Sequence, residues 1–410
     1  MNTISGDITQ TVLLVAVVTI ITLLVKAWLH RTVVPPLVGF LLLGMLLRWL
    51  DDEGTLVSDQ SASILRFLGE IGLFTLLFKV GLESNLAGLI AQIRRASLVW
   101  LANILGTGLM SYLAAYYIFG QGLLPSLVVG VAFTATSVGV TAQMWEDAGA
   151  LNTDNGDLLL DVAELDDVSA VVFMALLFAV LPEMRQGKAE GLFWSSVATT
   201  GIFALKLIAF VALCVLFSTH GERRLTAYFQ RLEKPPEAML MIAGVALLFA
   251  ALAGLWGFSL AVGAFMAGLV FSRDPATLKL ETSFIPLHDF FSPFFFISIG
   301  LAVDPAVFHQ ALGLGLGLAV VAIVGKVLSN GLAVWGLGSL SAGMVVGASM
   351  VPRAEIALII MHRGQQMGPW AVSTHLYTAT VVVTFITCIA APLTVRYLLR
   401  RWPQNGPGRG

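Results

Sequence analysis

A chain of 410 residues with 57% hydrophobic and only 12% charged residues cannot keep its surface wet, and a mean hydropathy of +0.88 makes lipid its solvent, since soluble domains carry about one quarter charged residues. The formal net charge of −2, with Lys and Arg scattered through short loops, excludes a basic nucleic-acid face. The two cysteines, Cys214 and Cys388, each lie in an apolar stretch, which excludes a disulfide framework or thiolate metal cluster.

Asp7 precedes the first apolar run without any Lys or Arg. That is the reverse of a signal peptide's charge order, so the run reads as an uncleaved first span. A bilayer core of about 30 Å needs about 20 apolar residues at 1.5 Å each. On that rule about thirteen helices are predicted, near residues 11–29, 33–50, 64–82, 97–118, 123–145, 157–181, 193–218, 237–254, 257–272, 288–303, 311–336, 341–362 and 374–399. They form one transmembrane domain over residues 1–402, with halves at about 1–181 and 219–402 and a linking helix at about 193–218. The polar, Gly-rich residues 403–410 are expected to be a disordered tail.

Orientation follows from positive charge. Arg31, Arg94, Arg95, Arg223, Arg224, Arg231, Lys234, Arg273, Lys279, Arg396, Arg400 and Arg401 fall on one side, against Arg48, Arg185, Lys188 and Arg363 on the other. The C-terminus is therefore expected in the cytoplasm and, with an odd helix count, the N-terminus outside. The charged connection at 219–236 suggests two halves related as an internal repeat. Gly313, Gly315 and Gly317 lack a preceding strand and read as helix packing through Gly313 and Gly317, not as a dinucleotide loop.

Ionisable residues at bilayer depth cost roughly 2.5–3.5 kcal/mol on insertion scales and line polar pathways or pair with one another. The densest group is Asp161, Glu164, Asp166 and Asp167 in DLLLDVAELDDVSAVVFMALL. At about 100° per residue, Asp166 and Asp167 face different neighbours, whereas Glu164 lies within about 60° of Asp167 and Asp161. A desolvated carboxylate holds a proton more firmly and offers hard oxygens, so proton and cation would compete for it. Lys326, mid-run in GLAVVAIVGKVLSNGLAVW, is expected to pair with an acid; the alternative is a Lys reaching an interface beside Ser329 and Asn330.

Pro352 in GASMVPRAEIALIIMH favours a broken helix beside Arg353 and Glu355. The stretch AFTATSVGVTAQMW, with Thr134, Thr136, Ser137 and Gly139, is its counterpart in the first half. Lys79, with Glu70 and Glu83, reads as structural. No His pair, Ser-His arrangement or zinc spacing occurs within the spans, so neither an enzyme nor a cofactor is expected.

The segments PPLVGFLLLGMLL, FLGEIGLFTLLFKVGLE, FTATSVGV, ELDDV, LAVGAFMAGLVFS, PFFFISIGLAVD and MVPRAEIALI occur in the order found in the bacterial monovalent cation:proton antiporters, and over nearly its whole length the chain resembles their paired-aspartate branch. The resemblance implies an all-α polytopic fold of about thirteen helices in two inverted repeats, with crossed broken helices and a homodimer formed by the remaining helices. It implies exchange of Na+, with Li+ or K+ as alternatives, for protons across the bacterial inner membrane. By position, Asp167 resembles the cation- and proton-binding carboxylate and Asp166 its neighbour paired with Lys326. Thr134, Thr136 and Ser137 would lie at the first crossing, Arg353 and Glu355 at the end of the second. An Asp-Asp pair implies electrogenic exchange. Two departures are Glu164, an extra acid, and Ala354 in place of a glycine. Relatives with potassium efflux activity carry a nucleotide-binding domain, and none is expected here. A cation channel is the competing expectation.

Overall fold

The computed structural model describes residues 2–51, 58–83, 96–151, 153–185, 192–232, 237–272 and 277–404. Among them every regular element is helical. In chain order these are α1 (Asn2–Leu29), α2 (Pro36–Leu50), α3 (Asp59–Glu83), α4 (Ala96–Ile118), α5 (Leu123–Ala132), α6 (Val138–Asp147), α7 (Asp154–Arg185) and α8 (Leu192–His220). Then follow α9 (Glu222–Leu232), α10 (Glu237–Leu255), α11 (Leu260–Phe271), α12 (Thr277–Leu301), α13 (Pro305–Leu337), α14 (Leu340–Ser349), α15 (Glu355–Met367) and α16 (Thr374–Arg401).

Seven of these, among the described residues, are long and apolar enough to cross a bilayer unaided. Shorter apolar helices complete about thirteen crossings once α5 joins α6 and α14 joins α15. Large apolar side chains such as Leu13, Leu24, Trp28, Ile208, Leu248 and Leu255 remain exposed. That is tolerable only against lipid, where helices also satisfy their own backbone.

Helix starts follow local chemistry. Ser259, Ser339 and Ser373 accept from the backbone N–H three residues on, and Asp304 accepts from Ala306 N ahead of Pro305. Gly257, at φ +92°, makes the left-handed turn that separates α10 from α11.

Two findings depart from the sequence reading. The helix expected from residue 288 begins at Thr277, with Pro286 and Pro293 inside it. Each proline removes only one backbone bond, and in a bilayer neighbouring groups take up what is freed. The charged connection at 219–236 contains α9, where Glu222 is buried and accepts from Thr226 Oγ1 at 2.9 Å while Arg224, Tyr228 and Arg231 lie on the exposed side.

The chain forms two compact units. One comprises residues 1–19, 53–91 and 175–298. Within it α3 and α11 touch backbone to backbone: a Cβ on Gly81 would collide with Phe265 O, and one on Gly268 with Phe78 O. The other comprises residues 20–52, 92–174 and 299–410 and holds every candidate site residue except those discussed for α3. There Gly315 meets Val382 and Ala379 of α16, Gly317 meets the Phe119 ring, and Gly313 faces open space. The expected Gly313–Gly317 stripe is thus corrected to Gly315 and Gly317, which point to opposite sides of α13 and serve different neighbours.

Lys79 bonds Glu83 at 2.7 Å, one turn on, with both side chains partly exposed. Arg94, Arg95, Lys188, Lys234 and Arg273, used for orientation, lie outside the described residues, as do the side chains of Asp7, Arg223 and Lys279 and residues 405–410 of the tail.

Candidate ion-binding site

Two interrupted helices create the site. α5 stops at Ala132, Phe133 and Thr134 close its last turn on Val129 O and Val131 O, and α6 resumes after Ser137, with residues 135–137 outside any helix. α14 stops at Ser349 and α15 begins at Glu355, with Pro352 between them supplying no N–H. The interruptions meet, since Ser137 N donates to Pro352 O at 3.0 Å. α6 is tied to the end of α14 by Trp145 Nε1 on Ser349 Oγ at 2.8 Å and Thr141 Oγ1 on Ser349 O at 3.0 Å.

Breaking a helix at membrane depth frees carbonyls at its negative end, and here cations take them. Arg353 Nη2 donates to Phe133 O at 2.7 Å and Nη1 to Val351 O at 3.0 Å, with the guanidinium 5.1 Å from the Phe133 ring centroid. Lys326 Nζ and Asn103 Nδ2 donate to Thr134 O at 2.7 and 3.1 Å. Arg353 therefore holds both interruptions, through carbonyls and not through Glu355. Arg353→Gln should lower the unfolding midpoint of the purified protein markedly, by about 2–4 kcal/mol of stability, because a fork and its stacking are lost from a dry site; thermal unfolding followed by size exclusion measures it.

Asp166 and Lys326 are both 0% exposed and pair at 2.9 Å. Lys326 places its three donors on Thr134 O, Thr136 Oγ1 and Asp166 Oδ2. Thr136 Oγ1 donates to Asp166 Oδ2 at 2.7 Å, and Asn103 Nδ2 donates to Asp166 Oδ1 at 2.7 Å. Asn103 Oδ1 in turn accepts from Thr107 Oγ1 and Asn330 Nδ2. A buried pair survives desolvation when its remaining donors and acceptors are met in this way. The interface alternative for Lys326 is overturned, since Asn330 is buried as completely as Lys326 itself.

Asp167, about 100° further round α7, shares none of this. It is 4% exposed, yet its Oδ1 meets no donor. Glu355, Asp166 and Glu164 act on it as like charges and Lys326 as the opposing one. Ser137 Oγ donates to Glu355 Oε2 at 2.9 Å. Glu164 is half-buried, as is Asp161, whose Oδ2 is buried without a donor. The Thr134 hydroxyl turns back to Val131 O, so this residue serves the site through its carbonyl.

The structure thus gathers Asp166, Lys326, Thr134 and Thr136 in one network, places Asp167, Glu355 and Ser137 beside it, and leaves Asp161 apart. Sequence reasoning missed Asn103 and Thr107, and treated Asn330 only as a neighbour of an interface. The available signal was amide residues inside apolar runs: Asn103 in LVWLANILGTGLM, one turn from Thr107, and Asn330 one turn from Lys326. No group of three His, Cys, Asp or Glu side chains suited to a resident metal occurs among the described residues.

Interrupted helices at membrane depth, a sealed Asp-Lys pair and a second buried carboxylate with an unbonded oxygen define a multi-pass membrane protein built to handle small ions. The fold is similar to that of the sodium proton antiporter MjNhaP1 from Methanocaldococcus jannaschii, with a TM-score of 0.67, 15% identity and 97% of each chain covered. In sequence the chain is 27% identical over 385 residues to a Na(+)/H(+) antiporter of Enterococcus hirae, covering 92% of this chain and 94% of that one. It is also 27% identical over 347 residues to the high-affinity Na(+)/H(+) antiporter NhaS3 of Synechocystis sp., covering 83% and 72%. A family model described as sodium/hydrogen exchanger, transmembrane, matches residues 14–401, and the chain belongs to that family of transporters.

Proposed function

We propose that the protein exchanges a monovalent cation, Na+ foremost with Li+ and K+ as alternatives, for protons across the bacterial inner membrane by alternating access. The observation that carries this reading is the Asp167 carboxylate, removed from water and with Oδ1 unbonded, beside an Asp166–Lys326 pair whose donors are all engaged. A lone carboxylate in such surroundings accepts either a proton or a hard cation, and occupation by one excludes the other. That competition couples the two fluxes.

Asp166 and Lys326 supply the electrogenic part of the proposal. Protonation of Asp166 opens the pair, so more than one proton moves per cation, and rate should depend on membrane voltage. The further proposals are a homodimer, two inverted halves at about 1–181 and 219–402, the N-terminus outside and the C-terminus in the cytoplasm; the paired-aspartate motif and the positive charge of the loops support them.

Everted membrane vesicles acidified by respiration and loaded with a pH-sensitive dye test the function. Na+, Li+ or K+ addition is expected to dequench the dye saturably, faster or slower as voltage is clamped by an ionophore. Cation flux that moves no protons would instead make the protein a channel.

A further inference from the structure

Between Ala96 and Ile118 α4 carries no Asp, Glu, Lys, Arg or His, yet it reaches the Asp166–Lys326 pair through Asn103. Asn103 is fully buried, and both ends of its carboxamide are engaged. Nδ2 donates to Asp166 Oδ1 at 2.7 Å and to Thr134 O at 3.1 Å, while Oδ1 accepts from Thr107 Oγ1 at 2.9 Å and from Asn330 Nδ2 at 3.2 Å. The amide cannot turn round, because its oxygen would then face a carboxylate and a carbonyl. Asn330 is fixed in the same sense: its Nδ2 also donates to Lys326 O at 3.1 Å, even though its Oδ1 is left buried without a donor.

The two oxygens of Asp166 are thus held from different sides. Oδ2 takes Lys326 Nζ and the Thr136 hydroxyl, themselves bonded to one another, whereas Asn103 is the donor on Oδ1. Asn103 is in turn built into place. Thr107 Oγ1 lies 2.8 Å from Ser329 Oγ on α13. The residues that follow Asn103, Ile104–Gly108, are wound as a π-turn, a rare geometry that is frequent at functional sites. Gly106 and Gly108 let this turn press on its neighbours: a Cβ would come within 2.6 Å of Ser329 Cβ at the first and 3.0 Å of Thr134 Cγ2 at the second. One turn earlier, Trp100 Nε1 donates to Ser169 Oγ at 3.1 Å, and that hydroxyl donates to Asp166 O at 3.0 Å. Through neutral groups alone, α4 holds Asp166 at its carboxylate and, by way of Ser169, at its backbone.

We infer that Asn103 is the positioning residue of the Asp166–Lys326 pair: a neutral donor, fixed by Thr107 and Asn330, that keeps Asp166 in place while the pair opens and closes. This rests on the electrogenic part of the reading given above and deepens it. Opening the pair breaks contacts on Oδ2, and the bond on Oδ1 is the one that does not depend on Lys326. A carboxylate still held there returns to the same lysine. One held only through the contacts that break does not, and a turnover in which the pair fails to close again carries the cation without the additional proton. Asn103 thereby sets how many charges accompany each cation, while Asp167, which shares none of this network, binds the ion.

The test uses the full chain in proteoliposomes with Na+, Li+ and K+, at clamped voltage and zero pH difference, and reads the imposed cation gradient at which net flux reverses. That ratio does not depend on how much protein is active. At the voltage worth a tenfold ratio for one charge, exchange of two protons per cation reverses at about a tenfold gradient. Asn103→Ala should reverse at about threefold or less, with the apparent KM for the cation within about twofold of the parent. Thr107→Val, which keeps the shape and loses the hydroxyl, should fall between the two, and Thr107→Ser, which restores the hydroxyl, should return to the parental gradient. A parental gradient in Asn103→Ala overturns the inference whatever its rate, since a merely structural asparagine would lower the rate and leave the ratio. Should that variant fail to insert, equal gradients in Thr107→Val and Thr107→Ser overturn it instead. A parent that reverses at unity at every voltage defeats the electrogenic reading and the role of Asn103 together, whereas a voltage-dependent parent matched by Asn103→Ala defeats the role of Asn103 alone.

Discussion

Replacing Asp167 by Asn is expected to abolish cation:proton exchange while the protein still folds and inserts. The substitution preserves volume and one carbonyl oxygen, so α7 and its neighbours have no reason to repack. It removes both properties the proposed exchange uses. The amide cannot bind the exchangeable proton, and it cannot neutralise a cation. Losing a charged partner costs about 1.5–3 kcal/mol, which is roughly ten- to a hundredfold in cation affinity. The loss of the proton site is not graded, because without it nothing links the fluxes. In the vesicle assay, cation-driven dequenching should therefore fall to the level of membranes lacking the protein at every pH and for Na+, Li+ and K+ alike. Dequenching at even a quarter of the parent rate would show that the coupling carboxylate lies elsewhere. The neighbouring change offers a contrast. Asp166 is bonded on both oxygens, so its loss disturbs a network as well as a charge, and only the Asp167 result reads directly on coupling.

Much of the fold is legible in the sequence, for reasons specific to lipid. A bilayer demands continuous apolar runs of fixed length, so crossings appear in composition alone, and Pro352 and the small polar run Thr134–Ser137 mark interruptions because both weaken a helix that should have continued. The onset of α12 was misplaced by eleven residues because Pro286 and His288 look like a boundary and are not one. In the site, charge was the visible signal: Asp166, Asp167 and Lys326 are costly in lipid and must be explained. What stayed hidden were neutral amides. Asn103 and Asn330 are common enough in packed membrane helices to draw no notice, and the contact between them joins residues 227 positions apart. The role of Arg353 was equally unreadable. An Arg beside a Glu suggests a pair, but the guanidinium turns to the carbonyls that the two interruptions release, a need that exists only once both interruptions are placed against each other.

Lys326→Met should produce the largest loss of stability of any single replacement in the site. The variant keeps an unbranched side chain of similar length, so packing along α13 is nearly conserved. What it leaves is a carboxylate that is 0% exposed, with Asn103 and Thr136 as its remaining donors, and the carbonyl of Thr134 reduced to one. Stranding one member of a buried pair costs about 3–5 kcal/mol, far more than the pair contributes over an apolar substitute. The thermal midpoint of the purified variant should fall well below that of the parent at neutral pH. Adding Asp166→Asn to Lys326→Met should restore most of the loss at neutral pH, since the amide oxygen can accept from Asn103 Nδ2 while its NH2 donates to the Thr136 hydroxyl, which can turn to accept, and no counter-charge is demanded. Equal midpoints for the single and double variants would mean that Lys326 stabilises the interruption through Thr134 O alone. Restoration would instead mean that the pair is dispensable for folding, as the proposal that it opens and closes during transport requires.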